Sequence, residues 1–207
     1  MPPTIHIMRH AESEHNVIRP DGDNIRDPDL TVPGRAYAQG VVFPHMANVR
    51  VVISSPLRRA VDTALIVFGD LLQEQNAKLV VIPELKEAGF RPSNTGSPAQ
   101  ELREEFGYAI QLGFLRDGWW YREASHGVRV AEEVAERARQ ARVYVRQVAN
   151  GLNDDDHIVL VTHRGTVRHL VENAPRLKNV EFRSYRFANP AGDDEDAVLT
   201  EIIEIED

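Results

Sequence analysis

The stretch Thr4-Ile5-His6-Ile7-Met8-Arg9-His10-Ala11-Glu12-Ser13-Glu14-His15-Asn16 decides how the rest of the chain is read. An apolar run that ends in Arg-His and then breaks into short polar residues predicts a buried strand. Its C-terminal tip carries two basic side chains, at the place where open α/β sheets bind ligands. A matching stretch lies far along the chain, at His157-Ile158-Val159-Leu160-Val161-Thr162-His163-Arg164-Gly165. If these two strands are parallel neighbours, His10 and His163 face each other over one pocket.

Working outward, Pro20 to Asp29 has neither helical nor strand period and reads as a surface loop near the pocket mouth. Thr31 is a plausible N-cap for a helix with Pro33 in its first turn. Val49 to Ser54 is a β-branched buried strand, followed by a helix that begins around Arg58 and runs to about Gln75. Leu79 to Pro83 is a third short strand, and Glu84 to Gly89 a loop. From Arg91 to about Val128 the alternation stops. A helix is expected from Pro98 to about Leu112, then the pair Trp119-Trp120, so the segment is a candidate lid or substrate-facing wall. The alternative is that these aromatics fill a satellite core. A long helix from Val130 to Val148, a helix from Thr166 to about Asn173, and an edge hairpin from Glu181 to Ile205 complete the chain.

Composition narrows the function. A chain of 207 residues with 42% apolar content is read as a single domain spanning 1–207. The net charge of -8 argues against a nucleic-acid partner, because a polyphosphate backbone is bound by surplus Lys and Arg. The absence of cysteine excludes disulfides, thiolate metal sites and thiol nucleophiles. No run of 18 apolar residues and no leader-like N-terminus is found, so no membrane partner is expected and the default location is cytoplasmic, with the nucleus as the other soluble compartment.

Four predicted segments end at one sheet edge, carrying Arg9 with His10, Arg59 beside Arg58, Glu87, and His163 with Arg164. Arginines bind phosphate or carboxylate oxygens bidentately and keep their charge, so the cluster is an anion site. A neutral histidine can attack phosphorus and hold the phosphoryl group covalently. A carboxyl such as Glu87 can protonate the leaving group and then activate water.

The motifs Arg9-His10-Ala11-Glu12-Ser13 with Asn16, Ser54-Ser55-Pro56-Leu57-Arg58-Arg59-Ala60, Leu85-Lys86-Glu87 and Thr162-His163-Arg164-Gly165 occur in the order of the histidine phosphatase superfamily. The chain resembles its phosphoglycerate-mutase-like branch. The resemblance implies an α/β three-layer sandwich, with a mostly parallel central sheet, helices on both faces and a lid-like helical insertion at about 91–128. It implies His10 as the phosphorylated nucleophile, Glu87 as the proton donor and His163 as the second pocket histidine. Arg9, Arg59 and Asn16 then contact the phosphate, while Arg58 falls on a variable position. No metal and no other cofactor is used.

The expected activity is a metal-independent phosphomonoesterase acting on a small phosphate ester through phosphohistidine. Three departures stand out: Ala11 replaces a glycine, Asp62 a common glutamine, and Arg164 the glycine that usually follows the second histidine. They keep a non-catalytic binding or scaffold module in view. A mutase is disfavoured, since 91–128 holds only Arg91, Arg103, Arg116 and Arg122 as cations. Arg164, Trp119 and Trp120 are candidate substrate contacts.

Overall fold

The computed structural model describes residues 3–120, 129–192 and 194–203. In chain order the elements are β1 (Thr4–Arg9), α1 (Glu14–Val17), α2 (Val32–Gln39), β2 (Val49–Ser54), α3 (Arg58–Glu74), β3 (Leu79–Val81) and α4 (Ala99–Phe106). Then follow β4 (Ile110–Gln111), α5 (Arg129–Ala149), β5 (His157–Thr162), α6 (Arg164–Leu170), β6 (Phe182–Phe187) and β7 (Leu199–Glu201). Among the described residues the strands form one seven-stranded sheet, ordered β4-β3-β2-β5-β1-β6-β7. β1 and β5 are parallel neighbours, with Thr4 opposite His157 and Arg9 opposite Thr162. The C-terminal pair β6 and β7 is antiparallel and closes one edge, as the alternating tail predicts.

The near-continuous apolar strands follow from burial on both faces, because successive side chains point to opposite sides of a sheet. Along β5, Ile158 and Leu160 enter one core with Ile5 and Ile7 of β1 and with Ala138, Ala141 and Val145 of α5. Val159 and Val161 enter the other, with Met8, Val52 and the α3 residues Ala60, Val61, Ala64 and Phe68. Helices on both faces of a mostly parallel sheet give the expected α/β architecture. Thr31 caps α2 as read from the sequence, its hydroxyl accepting the Gly34 N–H at 2.9 Å. Among the described residues no helix is long and apolar enough to cross a membrane.

The segment after Arg91 departs from expectation. The helix predicted from Pro98 to about Leu112 spans only Ala99–Phe106. It stops at Gly107, whose φ of 56° suits glycine alone, and the chain then rejoins the sheet as β4, parallel to β3. Trp119 is buried in the α3-side core with Leu57 and Leu102, and Trp120 packs against the same cluster. The indole of Trp119 lies over Gly96, where an added Cβ would stand 2.2 Å from the ring. Residues 121–128 of the proposed insertion, Arg122 among them, lie outside the described residues.

Candidate active site

The parallel register of β1, β5, β2 and β3 brings four C-terminal tips to one edge, and the segments leaving them carry the predicted residues. His10 and His163 meet there with ring centroids 5.0 Å apart. His10 is anchored by its own backbone: its N–H donates to the Thr162 carbonyl and its carbonyl accepts from the Asn179 amide. Its Nδ1 lies 2.6 Å from the Ala11 carbonyl oxygen, which can only accept. The hydrogen-bond network therefore assigns the proton to Nδ1 and leaves the Nε2 lone pair free. Burial, reinforced by the charges of Arg59 and Arg9, holds His10 well below the usual histidine range, so the ring stays neutral.

His163 is also fully buried and held neutral, first by desolvation and then by Arg59. Its Nε2 pairs with the Ser55 hydroxyl at 2.8 Å, and that oxygen also accepts the Leu57 N–H. If Ser55 donates to Nε2, the His163 proton is on Nδ1, a buried atom with no hydrogen-bond partner among the described residues.

Arg59 sits on the first turn of α3 and is completely buried. Its Nη1 donates to the Ser93 carbonyl at 2.8 Å, while Nε and Nη2 are buried without hydrogen-bond partners among the described residues. Desolvation lowers its pKa to about 10, which still leaves it protonated at neutral pH. A buried guanidinium without a paired carboxylate costs several kcal/mol unless an anion meets it. Arg9 donates to the Leu177 carbonyl at 3.2 Å and likewise keeps a buried, unpartnered Nε. The unmatched donors of Arg9, Arg59 and His163 all belong to residues gathered around His10.

Glu87 is held by its backbone and its carboxylate together. The Leu85 carbonyl accepts from Thr162, and the Lys86 carbonyl accepts from Thr166 and Arg137. The Glu87 carboxylate accepts the N–H groups of Ala88 at 2.7 Å and Gly165 at 3.3 Å. A Cβ at position 165 would stand 2.3 Å from Glu87 Oε1, so the glycine that follows Arg164 makes room for this carboxylate.

The other predicted residues are placed as follows. The Asn16 side chain accepts the Ser13 N–H and contacts His15, an arrangement that builds the turn after β1. Arg164 begins α6, half-buried beside His163. Trp119 lies in the core rather than open to solvent. Arg58 pairs with Glu105 and Asp29 on the surface, so Arg59 is the arginine that enters the pocket. Ala11 has no positive φ, and its N–H donates to Thr63 at 2.9 Å. Position 11 therefore makes no demand for the left-handed backbone that only glycine meets easily. Asp62 forms an ion pair with Arg35 at 2.6 Å, tying α3 to α2.

Sequence reasoning passed over Ser55, Thr63, Ser93, Asp27 and His15. Thr63 donates to the Arg59 carbonyl and accepts from Ala11, fixing the loop after β1 to α3. Asp27 is 2% exposed; burial raises its pKa to about 6, and it accepts the Arg58 N–H at the start of α3. His15 lies 5.7 Å from the His10 ring, and burial, then Arg59, lowers its pKa to about 3. Position 15, directly before Asn16 in the quoted turn, and Ser55, inside the quoted Ser54–Ala60 motif, offered a signal.

The parallel edge of this α/β sheet gathers two neutral histidines, two arginines and a carboxylate, donors and charge of the kind an oxyanion requires. The chain belongs to the histidine phosphatase superfamily, branch 1, whose family model matches residues 5–192. It is 30% identical over 106 residues to a probable phosphatase of Schizosaccharomyces pombe, an alignment covering 50% of this chain and 49% of that protein. The chain thus aligns with about half the length of this curated relative. The fold is similar to that of the Bombix mori ecdysone phosphate phosphatase solved with tungstate, with TM-score 0.65, 17% identity and 89% of each chain covered. A mycobacterial glucosyl-3-phosphoglycerate phosphatase solved with VO3 gives TM-score 0.62 at 18% identity, covering 97% of this chain and 98% of that one. An Entamoeba histolytica phosphoserine phosphatase in complex with 3-phosphoglyceric acid gives 0.53 at 22%, covering 89% and 91%.

Proposed function

We propose that the protein is a metal-independent phosphomonoesterase that works through a phosphohistidine at His10 on a small phosphate ester. One observation carries this reading: buried, unpartnered donors of Arg9, Arg59 and His163 accompany a histidine whose Nδ1 is already committed to the Ala11 carbonyl. A tetrahedral oxyanion satisfies such donors, and preorganised charge of this kind is the main demand of phosphoryl transfer. Family membership and the phosphatase relatives point the same way.

In the first step the Nε2 lone pair of His10 attacks phosphorus and the ester P–O bond breaks. The departing oxygen takes its proton from the Glu87 carboxyl. In the second step the Glu87 carboxylate takes a proton from water, the water oxygen attacks phosphorus, and the P–N bond breaks with its electron pair returning to Nε2. Arg9, Arg59 and the His163 Nδ1–H balance charge on the non-bridging oxygens throughout.

Because His10 titrates well below the ordinary histidine range, its lone pair stays available at mildly acidic pH. Purified protein is expected to hydrolyse p-nitrophenyl phosphate in excess chelator at pH 5 to 6, and rapid quench should trap an acid-labile phosphate on His10. Loss of turnover with chelator would remove metal independence. A trapped phosphate elsewhere would remove the assigned nucleophile.

A further inference from the structure

We propose that Arg164, Arg168 and Arg176 form a second anion subsite beside the phosphate pocket, so that the preferred substrates are phosphate esters bearing another anionic group. This rests on the phosphatase reading and adds a substrate class to it.

The placement is set by the fold. Arg164 follows His163 directly, and Arg168 lies one helical turn later on α6. Thr166, Val167 and Leu170 of the same helix are buried. Residues four apart share a helix face, so the helix's burial turns Arg164 and Arg168 together away from the core. Arg168 is exposed and Arg164 half-buried. Arg176 is exposed and immediately precedes Leu177, whose carbonyl accepts from Arg9. The pocket arginine is thereby linked to the outer group.

Like the exposed Arg19, Arg103, Arg116 and Arg186, the three have no ion-pair partner among the described residues; what sets them apart is that they lie next to the second pocket histidine and act on one another's charge. Arg35, Arg50, Arg58, Arg91, Arg139, Arg146 and Arg183 each pair with a carboxylate. Arg164, Arg168 and Arg176 make no hydrogen bond or ion pair among the described residues. Their neighbours are like charges: after desolvation, Arg176 and then Arg168 depress Arg164, and both Arg164 and Arg176 depress Arg9. Glu87, held by the Gly165 N–H, is the acid whose charge acts on Arg164. In a protein of net charge -8, uncompensated cations gathered next to the second pocket histidine favour a ligand with negative charge beyond its phosphoryl group.

The test compares two matched pairs at low ionic strength: 3-phosphoglycerate against glycerol 3-phosphate, which exchanges a carboxylate for a hydroxymethyl group, and glucose 1,6-bisphosphate against glucose 6-phosphate. The kcat/KM ratio within each pair is the readout. Wild type should favour the more anionic member of at least one pair by about tenfold or more, the scale of one or two partly exposed charge contacts, and added salt should shrink the ratio. The triple variant R164Q/R168Q/R176Q should bring the ratio close to one. The pair that responds tells a carboxylate from a second phosphate. A wild-type ratio near one in both pairs, or one unchanged in the triple variant, overturns the subsite while hydrolysis of p-nitrophenyl phosphate leaves the phosphatase reading standing. If no ester is turned over, the phosphatase reading fails by itself. The same ratios are then read as dissociation constants by calorimetry on His10→Ala, and there too equal affinities overturn the subsite.

Discussion

The sheet carries two histidine clusters built on the same two strands. At one edge His10, from the end of β1, meets His163 and His15, with ring centroids 5.0 and 5.7 Å away. Toward the other edge His6 of β1 meets His157 of β5 and His45, at 4.8 and 5.2 Å. Burial lowers the pKa of His6 to about 3, as it does that of His15. Burial that disfavours the protonated ring is therefore common to His6 and His157 and to His10, His15 and His163. Their partners differ. Both nitrogens of His6 are satisfied, by Ser184 and His157 at 2.9 Å each, whereas the upper cluster sits among buried arginines with unmatched donors. A perturbed histidine alone does not mark a reactive site; unspent hydrogen-bonding capacity and uncompensated charge beside it do.

The sharpest way to break this contrast is to truncate one histidine from each cluster. His10→Ala should lower kcat on p-nitrophenyl phosphate by roughly 10^4-fold or more with a near-native denaturation midpoint. His6→Ala should do the reverse, costing about 1–3 kcal/mol in urea denaturation through lost packing and hydrogen bonds while kcat/KM stays within about twofold. Similar activity losses in the two would erase the distinction.

Arg59→Met comes next. Removing a fully buried, unpaired cation should cut kcat/KM about 10^2- to 10^3-fold, yet leave stability without phosphate unchanged or raised by about 1 kcal/mol. A large loss of stability would show that Arg59 serves folding rather than an anion.

Gly165→Ala should have a smaller effect. Its methyl group would crowd Glu87 Oε1 and displace the carboxylate, so kcat should fall about tenfold with KM little changed. Equal kcat would separate the Gly165 contact from the work of Glu87.

The smallest effect per group is the acid dependence of stability, and it joins the two clusters. A histidine with a depressed native pKa takes up a proton only on unfolding. Its contribution is complete above the ordinary value of 6.5 and is lost as pH falls below it, by about 1.4 kcal/mol per pH unit for each group. His6, His10, His15 and His163 all act in this direction. Asp27 acts oppositely between 3.8 and about 6, because its native carboxyl holds a proton the unfolded chain releases. Asp62 shifts in the same direction as Asp27, and His157 and His169 in that of the other histidines, so the histidines outweigh the carboxyls: urea midpoints should drop from pH 6.5 to 4.5, and His6→Phe should flatten the slope. A flat profile would refute the neutral burial of both clusters.

Much of this was legible in the residues. The unbroken apolar runs ending in Arg9-His10 and Thr162-His163 implied parallel buried strands, because such runs fit a sheet covered on both faces. β4 was not legible: two residues in an edge strand carry too little pattern to compete with a helical reading. The core position of Trp119 depends on a contact with Gly96, which periodicity does not encode. In the site, residue types and order pointed to His10, Arg59, Glu87 and His163. Their supports did not, since Ser55, Thr63 and Ser93 act through hydrogen bonds to partners 108, 52 and 34 residues away.

The sequence by itself determined the α/β alternation, the strands that carry the histidines and the residue types able to bind a phosphoryl group, since these depend on local period and side-chain chemistry. Only the tertiary structure decided that Arg59 is fully buried with unmatched donors, that position 11 needs no left-handed backbone, that Gly165 makes room for Glu87, and that one of two similar histidine clusters keeps its donors unspent. Each of these is a matter of which distant groups come within hydrogen-bonding or van der Waals distance, and that is set by packing across the sheet.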